Sequence, residues 1–145
     1  MKKFIAVLFL LLVTSQSDSS DSEMVVSTAL EKVQYLTRAE ARNLYLLKTR
    51  VWKDGVRVVV LRLPSDHSVH KEFVRDILKM SDEQYNSEWN KLTNAGLLTT
   101  TETVLTPNEM LQVINRKHNA IGYISKDYLI INVGGYNVKV ITIVD

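Results

Sequence analysis

Eight residues from Val56 to Leu63 constrain the fold most, because they are apolar on both faces of an extended chain. Val56, Val58 and Val60 point one way, while Val59 and Leu61 share the other face with Arg57. A strand of that kind is stable only inside a sheet covered on both sides. It runs directly into Pro64-Ser65-Asp66-His67-Ser68 and then an amphipathic helix in which Val69, Phe73 and Ile77 recur at i, i+4, i+8, with Val74 and Leu78 widening the stripe. A strand that empties into a helix start turns backbone N–H groups outward, and these seat an anion. The Ser68 hydroxyl adds a donor or a cap at the same point.

The rest of the chain supplies the partners such a strand needs. Met24 to Thr28 reads as a first strand, and Ala120 to Ile124, Leu129 to Val133 and Val138 to Val144 as later ones, with Gly134-Gly135 turning the last pair into a hairpin. Asp54-Gly55 marks a turn after Val51-Trp52. Helix starts are marked by Thr37 with Glu40, Ser81 with Gln84, and Thr106-Pro107 with Glu109. Ala41, Leu44 and Tyr45 form the buried stripe of the first of these helices. Tyr85, Trp89 and Leu92 do so in the second, which stops at Gly96, and Met110, Leu111 and Ile114 in the third. Helices and strands mixed in this order predict a single α/β domain, a three-layer-like sandwich with a mixed central sheet, over residues 24–145.

The N-terminus gives an address. Lys2-Lys3, the apolar run Phe4 to Val13 and the small residues Ser15 and Ser17 have the layout of a secretory signal peptide over residues 1–17. The apolar run is well short of the roughly 20 residues a spanning helix needs, so no membrane anchor is expected after cleavage. Residues 18–23, rich in Ser and Asp, read as a disordered leader. The chain has no cysteine, hence no disulfide, and the combination fits a protein of the bacterial periplasm. Loss of Lys2 and Lys3 takes the formal charge from +2 to neutral. A neutral domain without a basic run is a poor nucleic-acid binder.

Five short motifs, in order and in register, resemble those of small phosphate ABC transporter substrate-binding-like proteins. They are Leu36-Thr37-x-x-Glu40 with Leu44 to Lys48, Trp52-Lys53-Asp54-Gly55, Ser65 to Ser68 with Phe73, Ile77 and Leu78, Glu88-Trp89, and Ala120 to Ile124. The resemblance implies one lobe of a type II periplasmic binding protein and a small oxyanion such as phosphate as ligand, bound without a cofactor. A membrane transporter is the implied partner. Against the family's phosphate loop, roughly R-S-D-G-S-G-T-T, Ser65, Asp66 and Ser68 match. Pro64 stands at the arginine, His67 and Val69 at glycines, and His70 and Lys71 at threonines. The family's Pro-Ser-Asn loop is missing around Thr28 to Leu30, and its Phe-Thr-Gly segment is Thr93-Asn94-Ala95-Gly96.

Ser65, Asp66, Ser68 and His70 are therefore the expected anion contacts. Two or three charge-assisted hydrogen bonds at roughly 1.5–3 kcal/mol each, set against about 4 kcal/mol or more for association, leave binding that is millimolar or weaker over much of that range. The expected function is solute binding with weak or altered oxyanion recognition. The alternative is a lobe that binds no ligand and serves as an interaction module for a transporter or sensor. His67 and His70, with Asp66 or Glu72, lack a clear third metal ligand, so no metal site is expected. Asp66, His67 and Ser68 carry the residue types of a hydrolytic triad, but neighbours on one turn diverge, and no enzyme activity is expected. Trp52, Tyr85 and Trp89 read as core aromatics rather than a sugar platform, and Gly122 as a point of close backbone packing.

Overall fold

Gly122 fixes how the layers meet. A Cβ added there would run into Met110 Sδ and lie 3.2 Å from Ile114 Cδ1, both on the helix Pro107–Arg116. That helix therefore lies directly on the sheet. The computed structural model describes residues 21–97 and 101–145; the expected signal peptide, and the leader as far as Ser20, lie outside the described residues. The strands are β1 (Ser22–Ser27), β2 (Tyr35–Thr37), β3 (Val59–Arg62), β4 (Thr101–Thr103), β5 (Ala120–Ser125) and β6 (Val138–Val144). The helices are α1 (Arg38–Tyr45), α2 (Ser68–Glu72), α3 (Asp82–Asn94), α4 (Pro107–Arg116) and α5 (Lys126–Asn132). A π-helical turn, Phe73–Ile77, extends α2.

The strands form one six-stranded mixed sheet in the order β2-β6-β1-β5-β3-β4. β1 runs antiparallel to both of its neighbours, β5 and β6, whereas β2–β6, β3–β5 and β3–β4 are parallel pairs. The C-terminal ends of β3, β4, β5 and β6 thus share one edge. Register sets Val25 opposite Gly122 and Met24 opposite Tyr123. The Gly122 face lies under α4. The Tyr123 face packs on α1 and the π-helical turn, where Phe73 stacks on the Tyr123 ring at 3.8 Å and Tyr45 meets Phe73 edge-on at 4.7 Å. This is the α/β sandwich with a mixed central sheet that the sequence predicts.

The capping residues act as read. Thr37 with Glu40 and Ser81 with Gln84 form reciprocal capping boxes. Thr106 accepts the Glu109 N–H at 3.1 Å ahead of Pro107, while the Glu109 carboxylate takes the N–H of Leu105 rather than that of Thr106. Gly96, at φ +69°, follows the end of α3. At the other end of the π-helical turn, Arg38 donates to the carbonyls of Asp76 and Ile77, and Arg42 to those of Leu78 and Lys79. Two guanidiniums of α1 thus satisfy carbonyls that a helix end leaves without partners.

Four expectations change. Leu129 to Val133 is not a strand: α5 covers most of it, a short 3₁₀ turn (Val133–Gly135) follows, and no hairpin with β6 forms. The Ser125 hydroxyl accepts the N–H of Tyr128, and Lys126 N–H bonds to Asp21 O at 2.7 Å, which turns the chain as β5 ends. A short apolar run carries no periodicity that separates strand from helix. β1 begins at Ser22, which is buried, so Ser22 and Glu23 belong to the sheet rather than to a disordered leader. The strand expected over Val56 to Leu63 contracts to β3, because Arg57 pairs with Val51 across the Asp54-Gly55 turn instead. The edge strands β2 and β4, three residues each, were not anticipated.

The layer contact predicts a cost for any side chain at position 122. Met110 is fully buried, so its side chain must shift against packed neighbours to admit a Cβ. Gly122→Ala should lower stability by about 1–3 kcal/mol, read as a drop in the urea midpoint, and Met110→Ala in the same chain should recover part of it.

Candidate functional site

β3 ends in a cation. Arg62 lies with its guanidinium carbon 4.2 Å from the centroid of the Trp89 ring, a cation–π stack that fixes the side chain on α3. Its Nε is buried without a hydrogen-bond partner, and among the described residues its guanidinium makes no ion pair. Beside it opens a cleft of about 540 Å³, bounded by Ser65 on the β3–α2 loop, by Asn86, Asn90 and Thr93 on α3, and by Thr101 and Thr103 on β4. The cleft lies at the C-terminal ends of parallel strands, where ligands bind in open α/β sheets.

Of the expected contacts, Ser65 lines this cleft; Asp66 and Ser68 are exposed but lie outside its lining. Ser68 is not the cap of α2. His67 is, its Nδ1 accepting the Val69 N–H at 3.2 Å. The Asp66, His67 and Ser68 side chains share no hydrogen bond among the described residues, so no relay is assembled.

His70 departs furthest from expectation. It is only 2% exposed and turns inward, its Nδ1 2.5 Å from Tyr123 Oη. Tyr123 Oη also accepts the Leu63 N–H at 2.9 Å, so one hydroxyl bridges the loop backbone and the His70 ring. His70 is thus a structural partner beneath the loop and not an anion contact. Burial, reinforced by the charge of Arg62 and only partly opposed by Asp82, pushes its pKa down to about 4. Tyr85, packed edge-on against His70 at 5.3 Å, is itself pushed up by burial.

Two buried donors stand next to the arginine: Tyr85 Oη and Trp89 Nε1 have no hydrogen-bond partner. Arg62 and the α3 side chains escaped the sequence reading, which sought an arginine at position 64. The available signal was a lone cation in the otherwise apolar run Val58 to Leu63. Among the described residues no cluster of His, Asp and Glu suited to a metal occurs.

With 85% of its length, this chain superposes on an ABC-type phosphate transport receptor from Vibrio cholerae at a TM-score of 0.62 and 19% identity. The fold is shared with that receptor, and the α/β sandwich resembles one lobe of a type II periplasmic binding protein. A Clostridium perfringens protein crystallised with bound phosphate matches over 85% of this chain, with a TM-score of 0.61 and 19% identity. PstS from Borrelia burgdorferi matches over 85%, at 0.61 and 13%. The lobe spans 46%, 44% and 47% of those three chains, less than half of each. No protein-family model and no curated protein matches it.

The lobe's stability should depend on pH through His70. Below the ordinary value of 6.5 the unfolded imidazole takes a proton that the folded one refuses until about pH 4. Stability from this group is therefore complete above pH 6.5 and is lost as pH falls from there to about 4, by up to about 3 kcal/mol. Glu40, whose carboxylate the Thr37 N–H holds low, acts only at the acid end of that range. In urea titrations across pH, His70→Asn, which keeps an acceptor and does not titrate, should flatten the profile between 6.5 and 4.

Proposed function

We propose that this chain is an exported, periplasmic solute-binding lobe that holds a small oxyanion at the C-terminal edge of its sheet, with Arg62 as the principal contact and Ser65 beside it. The observation that carries this reading is the state of Arg62: a guanidinium stacked on Trp89, with no ion pair among the described residues, lining a polar cleft. A half-buried cation without a counter-ion favours an anionic ligand. Likeness of fold to phosphate receptors supports the anion class. Among the described residues no helix is long and apolar enough to cross a membrane.

The arginine missing from position 64 is supplied two residues earlier, at the end of the strand. Ser65 contributes a hydroxyl, and Asp66 and Ser68 stand on the exposed part of the loop as further candidate contacts. The donor set is small and the cleft is open, so affinity belongs in the millimolar range. Binding with no chemical step is the role assigned; nothing in the loop assembles a nucleophile with a base.

A second reading rests on a separate observation. Ile130 and Ile131 of α5 are 76% and 80% exposed, on a helix that starts where β5 ends and thus at the same edge as Arg62. That edge could serve as an interaction surface for a membrane transporter or sensor. Photo-crosslinking from position 130 in intact cell envelopes tests it: one discrete membrane-protein adduct supports the reading, and its absence removes it.

The anion reading is tested by calorimetry with phosphate, sulfate and molybdate. Arg62→Gln should weaken binding by roughly 10- to 100-fold, the loss of one charge-assisted contact, with little change in the urea midpoint. Equal heats for wild type and Arg62→Gln would falsify the assignment.

A further inference from the structure

The wall of the cleft contributed by α3 is neutral, although the helix is not. Asn86, Asn90 and Thr93 recur at i, i+4, i+7 and share one face. Asp82, Glu83, Glu88 and Lys91 all lie outside the cleft's lining. Opposite stand the hydroxyls of Thr101 and Thr103, with Ser65 at the rim. Arg62 is the one cation among the described lining residues, and no carboxylate is among them.

The neutral part of this set accepts as well as donates. Each Asn amide offers a carbonyl acceptor as well as an NH₂ donor, and the hydroxyls of Ser and Thr also do both. The Thr93 hydroxyl already gives its proton to Trp89 O at 2.9 Å, so towards a ligand it acts as an acceptor. An inorganic phosphate carries few P–OH protons and so leaves most of those acceptors unused. A ligand rich in hydroxyls donates to them and accepts from the amides. The cleft, about 540 Å³ and open to solvent, leaves room for an organic body beside the anion. The Trp89 face is already covered by Arg62, so a sugar ring would be held by edge hydrogen bonds and not by stacking.

We infer that the ligand is a phosphate ester of a polyhydroxyl compound, its phosphate on Arg62 and Ser65 and its hydroxyls on Asn86, Asn90 and the cleft threonines. This rests on the oxyanion reading of Arg62 and narrows it to a ligand class. The phosphate supplies charge; the body supplies selectivity.

Calorimetry with glucose 6-phosphate, glycerol 3-phosphate, inorganic phosphate and glucose, on wild type and on the double variant Asn86→Ala, Asn90→Ala, provides the test. Both asparagines are exposed, so the variant should fold, with its urea midpoint as a check. Wild type should bind glucose 6-phosphate about tenfold or more tightly than inorganic phosphate, the equivalent of two or three neutral hydrogen bonds, with glycerol 3-phosphate between them and no heat from glucose. The double variant should lose that preference while its affinity for inorganic phosphate stays within about twofold. Inorganic phosphate binding as tightly as the esters, or a preference that survives the double substitution, overturns this inference and leaves the oxyanion site standing. No heat from any phosphate overturns both.

Discussion

The hydroxyl of Tyr123 ties both ends of the β3–α2 loop to the sheet. It accepts from Leu63 N–H, one residue past β3, and shares a hydrogen bond with His70 Nδ1 in α2. Between these anchors lie Pro64 to Val69, the segment that carries Ser65 to the cleft. The ring of the same tyrosine stacks on Phe73 and so fixes the helix that follows. Removing the hydroxyl would leave a buried N–H and a buried imidazole nitrogen without partners, each costing on the order of 1–3 kcal/mol. Arg38 and Arg42 hold the far end of that helix through four carbonyls, so loop, helix and sheet behave as one body.

On that rigid base, Arg62 is placed by contacts that do not neutralise it. Trp89 supplies a ring face, and the neutral Tyr85 hydroxyl lies beside it without carrying a charge to cancel the guanidinium. An arginine held this way lines the cleft without the entropy of a free side chain. The same charge helps to keep His70 neutral, so the imidazole beneath the loop and the cation beside it reinforce each other.

Features whose cause is local were legible in the sequence. Thr37 with Glu40, Ser81 with Gln84, Thr106 before Pro107, and Asp54-Gly55 all sit where their side chains or backbone preferences place them. Features whose cause is a distant partner were not. β2 and β4 exist because β6 and β3 supply the other half of each ladder. Leu129 to Val133 is apolar enough for a strand, yet Ser125 and Asp21 bend the chain into a helix. His70 was legible after all, since it stands at i to the i+3, i+4 and i+7 of Phe73, Val74 and Ile77, which places it on the inner stripe. Matching it to a threonine in a motif obscured that geometry. Arg62 needed the third dimension, because only the packing of α3 shows that its charge has no counter-ion.

β1 comes early in the chain and lies between the last two strands. Its partners, β5 and β6, are roughly a hundred residues away, a separation that slows folding through the entropy of closing so long a loop. Until positions 120–144 emerge from the ribosome, the strand that joins the two halves of the sheet has nothing to pair with. The growing polypeptide therefore stays open until both of those strands have been made.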